Sequence, residues 1–151
     1  MANVFDVAKY IIEKQGQLTA MKLQKLVYYS QVWTLVWDEK PLFPEVIQAW
    51  GKGPVCPDLY KWHQGEFLVS VNPCLEQLSS GELTEHQKEN IDKVLDGYGS
   101  LTAQDLSDLT HKEDPWKEAN SKCPVSGHCD AEITHAMMHE YYSNLPEDYE
   151  V

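Results

Sequence analysis

The 151-residue sequence contains no arginine, since all twelve of its basic residues are lysine. Arginine is the side chain that usually reads guanine and clamps phosphate through paired hydrogen bonds. The formal net charge is −12, and a surface of that sign repels nucleic acid. The composition therefore argues against direct binding of DNA or RNA. The acidity suits a basic protein partner or serves solubility alone, and composition does not choose between these two interpretations.

Long apolar runs are also missing, since none approaches the ~20 residues that a membrane-spanning helix needs. The N-terminus has neither a basic start nor a small-residue cleavage site, so we expect no signal peptide, no membrane contact and a cytoplasmic location. Cysteine is scarce, with four scattered residues. That number is too small for a disulfide scaffold in a chain of this length, and we expect reduced thiols.

Charge is divided unevenly along the chain. Residues 1–75 carry seven lysines and seven acidic residues, whereas residues 76–151 carry five lysines and seventeen acidic residues. The whole negative excess therefore lies in the second half. The length fits one domain, which we place at residues 1–145, followed by an acidic C-terminal tail at 146–151.

The longest stretch that reads as one element covers residues 19–37. On a helix, its apolar side chains cover more than half of the circumference and leave a narrow polar strip. The strip consists of Ser30, Gln31, Thr34 and Asp38. Thr19 is a plausible N-cap. Such a wide apolar arc needs neighbours on several sides, so the pattern predicts a central helix at residues 19–38 with the rest of the chain packed around it.

Helical periodicity and capping signals predict six or seven helices in total. Their starts are expected at Asn3, Thr19, Pro57, Thr84, Ser100 or Thr102, Asp114 and Asp130. Short β-branched runs near residues 45–50 and 67–71 predict a small β element in which the two runs pair with each other. The sequence thus indicates a mainly α, single compact domain.

The segment from Trp50 to Pro57 reads W-G-K-G-P-V-C-P. It lacks the spacing of a phosphate-binding loop. Its structural interpretation is a stiff irregular turn in which Gly51 and Gly53 permit positive φ. A stiff loop beside aromatic residues is also a good protein-docking surface. The candidate partner-binding residues of this region are Trp50, Lys52, Gly53, Pro54, Tyr60 and Trp62.

A second candidate region reads T-H-K-E-D-P-W over residues 110–116. A histidine near carboxylates can act as a general base, but no serine or cysteine stands in a recognisable nucleophile context. We favour a helix end at which His111 binds free carbonyls or Glu113, and Trp116 packs into the core. His111 and Trp116 join the partner-binding candidates, and we predict neither a catalytic residue nor a cofactor.

Zinc is an alternative, because cysteines and histidines gather in the last third of the chain. The group comprises His111, Cys123, His128, Cys129 and the pair His135 and His139, which are four residues apart. Zinc sites usually use closer ligand pairs, and the histidine pair lacks the glutamate of H-E-x-x-H. We therefore predict no metal.

Three phrases stand out in order along the chain. They are M-K-L-Q-K-L-V-Y-Y-S-Q at 21–31, P-L-F-P-E-V-I-Q-A-W-G-K-G-P-V-C-P-D-L-Y at 41–60, and L-D-G-Y-G-S-L-T-A-Q-D-L-S-D-L-T-H-K-E-D-P-W at 95–116. The last helix, with Ile133 and the pair Tyr141 and Tyr142, fits the same pattern. Together, over residues 3–142, they resemble the Panacea domain of SocA-like antitoxins and GepA-like prophage proteins.

The resemblance implies a mostly helical, cytoplasmic, non-enzymatic antitoxin that neutralises a cognate toxin by direct protein contact. Delivery of the toxin to a ClpXP-type protease is a second mode that the resemblance implies. The chain is close to a bare domain, so we expect no attached DNA-binding regulator. Two other classes stay open: a phage or prophage effector that binds a host protein, and a small histidine-dependent or zinc hydrolase that uses His111.

The same resemblance bears on where a partner would bind. The central helix carries the most specific phrase, and its residues are expected to form the core. Because core positions rarely touch a partner, we expect the contact surface at residues 50–62 and on the acidic second half, away from the central helix.

Overall fold

The computed structural model describes residues 1–124 and 127–146. Eight helices lie in these residues: α1 (Val4–Gln15), α2 (Ala20–Asp38), α3 (Pro57–His63), α4 (Pro73–Leu78), α5 (Glu85–Tyr98), α6 (Ala103–Lys112), α7 (Asp114–Asn120) and α8 (His135–Ser143). The short strands are β1 (Leu18–Thr19), β2 (Ile47–Trp50), β3 (Gly53–Val55), β4 (Leu68–Val69) and β5 (Glu132–Ile133). The predicted mainly α fold is confirmed. Most of the predicted acidic tail, residues 147–151, lies outside the described part of the chain.

The central helix α2 is confirmed as the element around which the chain is built. Every residue from 23 to 35 is buried, and α1, α5, α6 and α8 all pack against it. The Thr19 hydroxyl caps the helix by accepting from the Lys22 backbone N–H. The polar strip is buried as well, with Ser30, Gln31 and Thr34 at most 2% exposed. The chain therefore encloses α2 on all sides along most of its length.

Two glutamines in α2 satisfy buried backbone groups of later segments. The Gln24 side chain accepts from the Cys56 N–H at 2.9 Å and donates to the Cys56 carbonyl at 3.3 Å. Seven residues further on, Gln31 accepts from the Leu42 N–H at 2.7 Å and donates to the Phe43 carbonyl at 2.8 Å. Buried backbone groups need such partners. Gln24 thereby fixes the start of α3, and Gln31 fixes the turn that follows α2.

The β structure pairs differently from the prediction. β2 and β3 form an antiparallel hairpin with Trp50 opposite Gly53, and β5 pairs along the other edge of β2. Residues 53–55, expected to be irregular, are therefore a strand. The predicted pairing between residues 45–50 and 67–71 is wrong, because β4 pairs with β1 instead, with Leu18 opposite Val69. Strands of two to four residues carry too little alternation to specify a partner.

The helix starts with strong local signals are confirmed. Asn3, Thr84 and Thr102 each form a capping box. In each box, the side chain of the cap residue accepts from the backbone N–H three residues later, and the side chain of that later residue accepts from the backbone N–H of the cap residue. Each box satisfies amide groups that have no partner within the helix.

Three other helices differ from the prediction. Helix α7 begins at Asp114 as expected, but its N-cap residue is Glu113 and not Asp114. The last helix is capped by Thr134 and not by Asp130, because the intervening residues extend to pair with β2. Helix α4 was not among the predicted helices, and Asn72 caps this helix, whose first residue is proline. None of the helices in the described ranges has the length and apolar character to cross a bilayer.

The expectation of reduced thiols is wrong for two of the four cysteines. Cys123 and Cys129 form a disulfide with their Cα atoms 5.4 Å apart. The bridge closes the connection between α7 and β5. Cys56 is a buried free thiol and Cys74 is an exposed one. The composition argued only against a disulfide scaffold, and it carries no signal for a single bridge within one loop.

Candidate functional site

An open cleft of about 290 Å³ lies beside the β2–β3 hairpin. We call it the hairpin cleft. Its described lining residues are Met21, Gln24, Lys25, Trp50, Gly51, Lys52, Val55, Tyr60 and His128. This described lining is largely apolar and aromatic, and among its residues are two lysines but no acidic residue. Clefts with apolar walls and a few polar groups are the usual form of a binding site.

The aromatic edge of the hairpin cleft is built around Trp50. The centroid of its ring lies 4.9 Å from that of Tyr60 and 4.7 Å from that of His128, both in edge-to-face contact. The indole N–H donates to the Gln48 side chain at 2.8 Å. Trp50 and Tyr60 are half-buried and His128 is exposed. The edge is therefore held in place by contacts on one side while it presents ring surface on the other.

Lys25 brings a buried cation into the wall of the cleft. Lys25 is 1% exposed, and this burial lowers the pKa of its ammonium group to about 8. The ammonium donates to the Pro54 carbonyl at 3.2 Å. Among the described residues, no carboxylate lies within ion-pair distance of it. Lys25 is therefore a buried charge held by a neutral partner.

Gly53 makes the space for the Lys25 side chain. A Cβ placed at this position would lie 2.5 Å from Cε of Lys25 and 3.0 Å from the hydroxyl oxygen of Thr110. Gly53 has φ +123°, which side-chain-bearing residues rarely adopt. The predicted positive φ is confirmed for Gly53 but is wrong for Gly51, whose φ is not positive. Glycine at position 53 thus allows the β2–β3 hairpin to pack closely against the Lys25 side chain of the central helix.

His111 and Trp116 hold the hairpin turn from its other side. The ring nitrogens of His111 lie 2.5 and 2.9 Å from the carbonyl oxygens of Ser107 and Gly51. The Trp116 indole donates to the Trp50 carbonyl at 2.8 Å, and the centroids of the His111 and Trp116 rings lie 3.9 Å apart. The interpretation that His111 binds carbonyl groups is confirmed. Neither residue lines the hairpin cleft, and both support its wall.

Glu113 is separated from this site and belongs to the core. Its carboxylate accepts from the hydroxyl of Tyr29 at 2.5 Å and from that of Tyr142 at 2.8 Å. Burial raises the pKa of Glu113 to about 6, against the opposing effect of these hydrogen bonds. The Tyr142 hydroxyl also lies 3.0 Å from that of Tyr28. The alternative that His111 binds Glu113 is therefore wrong.

The structure assembles only some of the predicted partner-binding residues. Trp50, Lys52 and Tyr60 line the hairpin cleft, while Gly53 and Pro54 are buried beneath it. Trp62 follows Tyr60 by two residues and so faces a different side of α3. Its indole N–H lies 3.3 Å from the Asn72 side chain, and it is not among the described lining of the cleft.

Sequence reasoning missed the contribution of the central helix. Met21, Gln24 and Lys25 all line the cleft, so the first turns of the helix adjoin the residues 50–62 that the sequence favoured as a contact surface. That the partner binds away from the central helix stays a prediction. A usable signal was present, because a lysine between the apolar residues Leu23 and Leu26 is seldom buried unless it has a partner or a task.

The cysteines and histidines of the zinc alternative are not brought together in the described residues. None of their histidine, cysteine and carboxylate side chains form a group of three or more that could hold a metal ion. Cys123 and Cys129 are joined to each other, and their sulfur atoms are therefore not the thiolates that zinc binds.

Comparison with known families bears on the class of protein. The model of the family described as "Antitoxin SocA-like, Panacea domain" matches residues 23–117. The match covers more than half of the chain, from the first turn of α2 to the early part of α7, and includes the hairpin. The chain therefore belongs to the SocA-like antitoxin family with the Panacea domain. Searches of curated proteins and of solved structures each gave no match.

Membership of this family assigns the protein to a role related to toxin–antitoxin systems. Such a role implies a toxin partner in general, and it favours binding over enzymatic activity. The matched region contains most of the described lining of the hairpin cleft, with Met21 and His128 outside it.

Proposed function

We propose that this protein is a non-enzymatic cytoplasmic antitoxin that neutralises a cognate toxin by direct protein–protein binding, and that the hairpin cleft is the contact surface. Family membership supports the toxin–antitoxin role. The observation that carries the choice of surface is the open, largely apolar cleft edged by the half-exposed rings of Trp50 and Tyr60. Tryptophan and tyrosine are the residues most enriched at binding hot spots.

The frame around the cleft supports this choice. The hairpin is held by the indole hydrogen bond of Trp116, by the ring of His111 and by pairing with β5. On the opposite wall, Gln24 bonds both backbone groups of Cys56 ahead of α3. Walls fixed in this way lose little conformational entropy when a partner binds.

Co-expression with the product of the adjacent gene tests the proposal. We expect that product alone to arrest growth and the wild-type protein to restore growth. Trp50→Ala and Tyr60→Ala should each weaken the purified complex at least about tenfold. Trp62→Ala is the matched control, because it removes a large aromatic ring from the same region without touching the described cleft lining. All variants are first compared by circular dichroism and thermal unfolding.

Two results would contradict the proposal in different ways. If the adjacent product is harmless, or remains toxic beside the wild-type protein, the antitoxin role fails and a phage effector with a host target becomes the better interpretation. If Trp62→Ala abolishes neutralisation while Trp50→Ala does not, the antitoxin role stands and the contact surface is misplaced.

The mode of neutralisation needs its own experiment. Binding that blocks the toxin should protect cells whether or not they contain a ClpXP-type protease, and toxin levels should stay constant. An adaptor should protect only cells that have the protease, and toxin should disappear when the protein is expressed. We expect blocking, since the proposal places the toxin on a preformed cleft, and loss of protection in cells without protease would contradict it.

A further inference from the structure

We propose that the hairpin cleft receives an aspartate or glutamate side chain of the toxin, and that the ammonium group of Lys25 pairs with that carboxylate. This inference rests on the proposed function and deepens it, because it names the chemistry by which the same cleft recognises its partner. It is carried by the buried cation in the cleft wall and by the charges around it.

The first step is that the charge of Lys25 is not matched. An ammonium group has three N–H donors, and the described residues provide one acceptor, the neutral carbonyl of Pro54. A buried charge is normally paired, because loss of hydration is costly without a counter-charge. Lys25 is 1% exposed, and its other N–H donors have no acceptor among the described residues. A partner that enters the cleft can supply one.

The second step is that the cleft differs in charge from the rest of the molecule. The protein carries a net charge of −12, but the described lining of the cleft contains Lys25 and Lys52 and no carboxylate. At pH 7, Lys25 remains largely protonated, since its pKa is lowered only to about 8. An anion is therefore attracted to this one recess and repelled by much of the remaining surface.

The third step selects the kind of anion. Besides Lys25, the described lining of the cleft includes the apolar side chains of Met21 and Val55 and the ring of Trp50, which suit a single charge on an apolar stem. A phosphate carries more charge and is usually held by arginine or by several backbone amides. The chain contains no arginine.

The fourth step distinguishes a side chain from a chain end. C-terminal carboxylates are commonly captured by clusters of backbone N–H groups. The carbonyl groups of Trp50, Gly51 and Lys52 accept from Trp116, His111 and Ser107, none of which belongs to the described lining of the cleft. The polar side chains of that lining include the two lysines Lys25 and Lys52. One ammonium at the wall of an apolar cleft suits a carboxylate that reaches in on a flexible side chain.

Titration with three N-acetylated peptides, two of them amidated at the C-terminus, tests the inference. The probes are acetyl-Phe-Glu-Phe-amide, acetyl-Phe-Gln-Phe-amide, and acetyl-Phe-Gln-Phe with a free C-terminal carboxylate. Binding is followed through the NMR signals of ¹³C-labelled lysine. We expect the glutamate peptide to bind the wild type roughly ten to a hundred times more tightly than the other two, as is typical of a charge-assisted hydrogen bond. The pKa of Lys25 should rise in the complex.

Substitution of the lysine should remove that preference. Lys25→Met keeps the length and apolar stem of the side chain, and it should bind the glutamine and glutamate peptides equally. Lys61→Met, which removes an exposed lysine outside the cleft lining, should keep the full preference. Equal binding of the two amidated peptides by the wild type, or an undiminished preference in Lys25→Met, would overturn the inference. Tightest binding of the free chain end would overturn the assignment to a side chain.

The co-expression assay separates this inference from the proposed function. If the wild type and Lys25→Met neutralise the toxin equally while Trp50→Ala does not, the carboxylate pairing is wrong and the antitoxin role stands. If the wild type neutralises nothing, the antitoxin role is wrong, and the peptide titration still reports whether the cleft binds a carboxylate.

Discussion

Gly53 and Lys25 occupy adjoining space that has no room for a further carbon atom. A Cβ at position 53 would lie 2.5 Å from Cε of Lys25, which is well inside van der Waals contact. A side chain at this position would therefore displace the end of the Lys25 side chain and would also have to adopt φ +123°, a conformation that favours glycine. The conformation of the β2–β3 turn at Gly53 therefore affects where the Lys25 ammonium group lies in the hairpin cleft.

Gly53→Ala should destabilise the protein by about 2 kcal/mol or more, because alanine at positive φ is strained and would also displace Lys25. Urea unfolding at pH 7 measures the change. Gly51→Ala is the matched control two residues away, since its φ is not positive and a Cβ there meets nothing within 4 Å. We expect that control to lie within about 0.5 kcal/mol of the wild type. Equal effects of the two substitutions would contradict the packing argument.

Lys25→Met should stabilise the protein at neutral pH. The folded-state pKa of about 8 lies below the ordinary value of 10.5, so the unfolded chain binds more protons between these values and wild-type stability rises with pH there. At pH 7, the burial penalty is fully present and amounts to about 3 kcal/mol. Removing the charge should recover up to that amount, less the lost hydrogen bond to Pro54.

The measurement is urea unfolding of wild type and Lys25→Met from pH 7 to pH 10. The stability advantage of the variant should shrink steadily over that range, because the wild-type lysine loses its proton. Lys61→Met serves as the control, since its exposed lysine should give no such trend. A constant difference between wild type and Lys25→Met would show that the lysine is not desolvated.

The sequence predicted those parts of the fold that depend on residues close together along the chain. The helix starts at Asn3, Thr84 and one of Ser100 or Thr102 were predicted, because the residues that form each cap lie within three positions along the chain. The central helix was predicted because one period of apolar residues persists over residues 19–38. Both signals are local, and both are strong enough to survive tertiary packing.

The remainder of the fold depends on contacts between distant residues. Neither β2 nor β4 carries enough sequence to name its partner, and β5 lies more than eighty residues from β2. The positions of the cysteines along the chain did not reveal that the turn after α7 brings Cys123 and Cys129 together. Such pairings are decided by where the helices place the connecting segments.

The candidate site shows the same division. Trp50, Lys52 and Tyr60 could be selected because aromatic and basic residues surround a glycine–proline turn. Lys25 could not be assigned to the cleft from the sequence, since only the folded chain shows that the first turns of α2 line the cleft beside the hairpin. Trp62 was grouped with Tyr60 by proximity in sequence, although helix geometry turns the two side chains apart.

Reduction of the Cys123–Cys129 disulfide should lower the free energy of unfolding by about 2 kcal/mol, the loss expected when so short a loop is released in the unfolded chain. Thermal unfolding with and without dithiothreitol measures the effect in the wild type. The double variant Cys123→Ser with Cys129→Ser is the control and should not respond to the reductant. An unchanged melting temperature in the wild type would mean that the bridge adds no stability.

Glu113 should give the protein a stability that falls as pH rises from about 4.5 to 6. Its pKa is raised from 4.5 to about 6 in the folded state, so the folded protein binds the proton more tightly than the unfolded chain does in that range. The stabilising contribution of the protonated carboxyl is complete below pH 4.5 and is lost as pH rises through 6. The total change is about 2 kcal/mol.

Glu113→Gln isolates this contribution from the titration of other carboxyl groups. The amide oxygen can still accept from the hydroxyls of Tyr29 and Tyr142, which bond the carboxylate in the wild type, but the side chain no longer titrates. The difference in unfolding free energy between variant and wild type should move by about 2 kcal/mol in favour of the variant between pH 4.5 and pH 7. A difference that is independent of pH would show that the tyrosine hydroxyls fully compensate the burial of the charge.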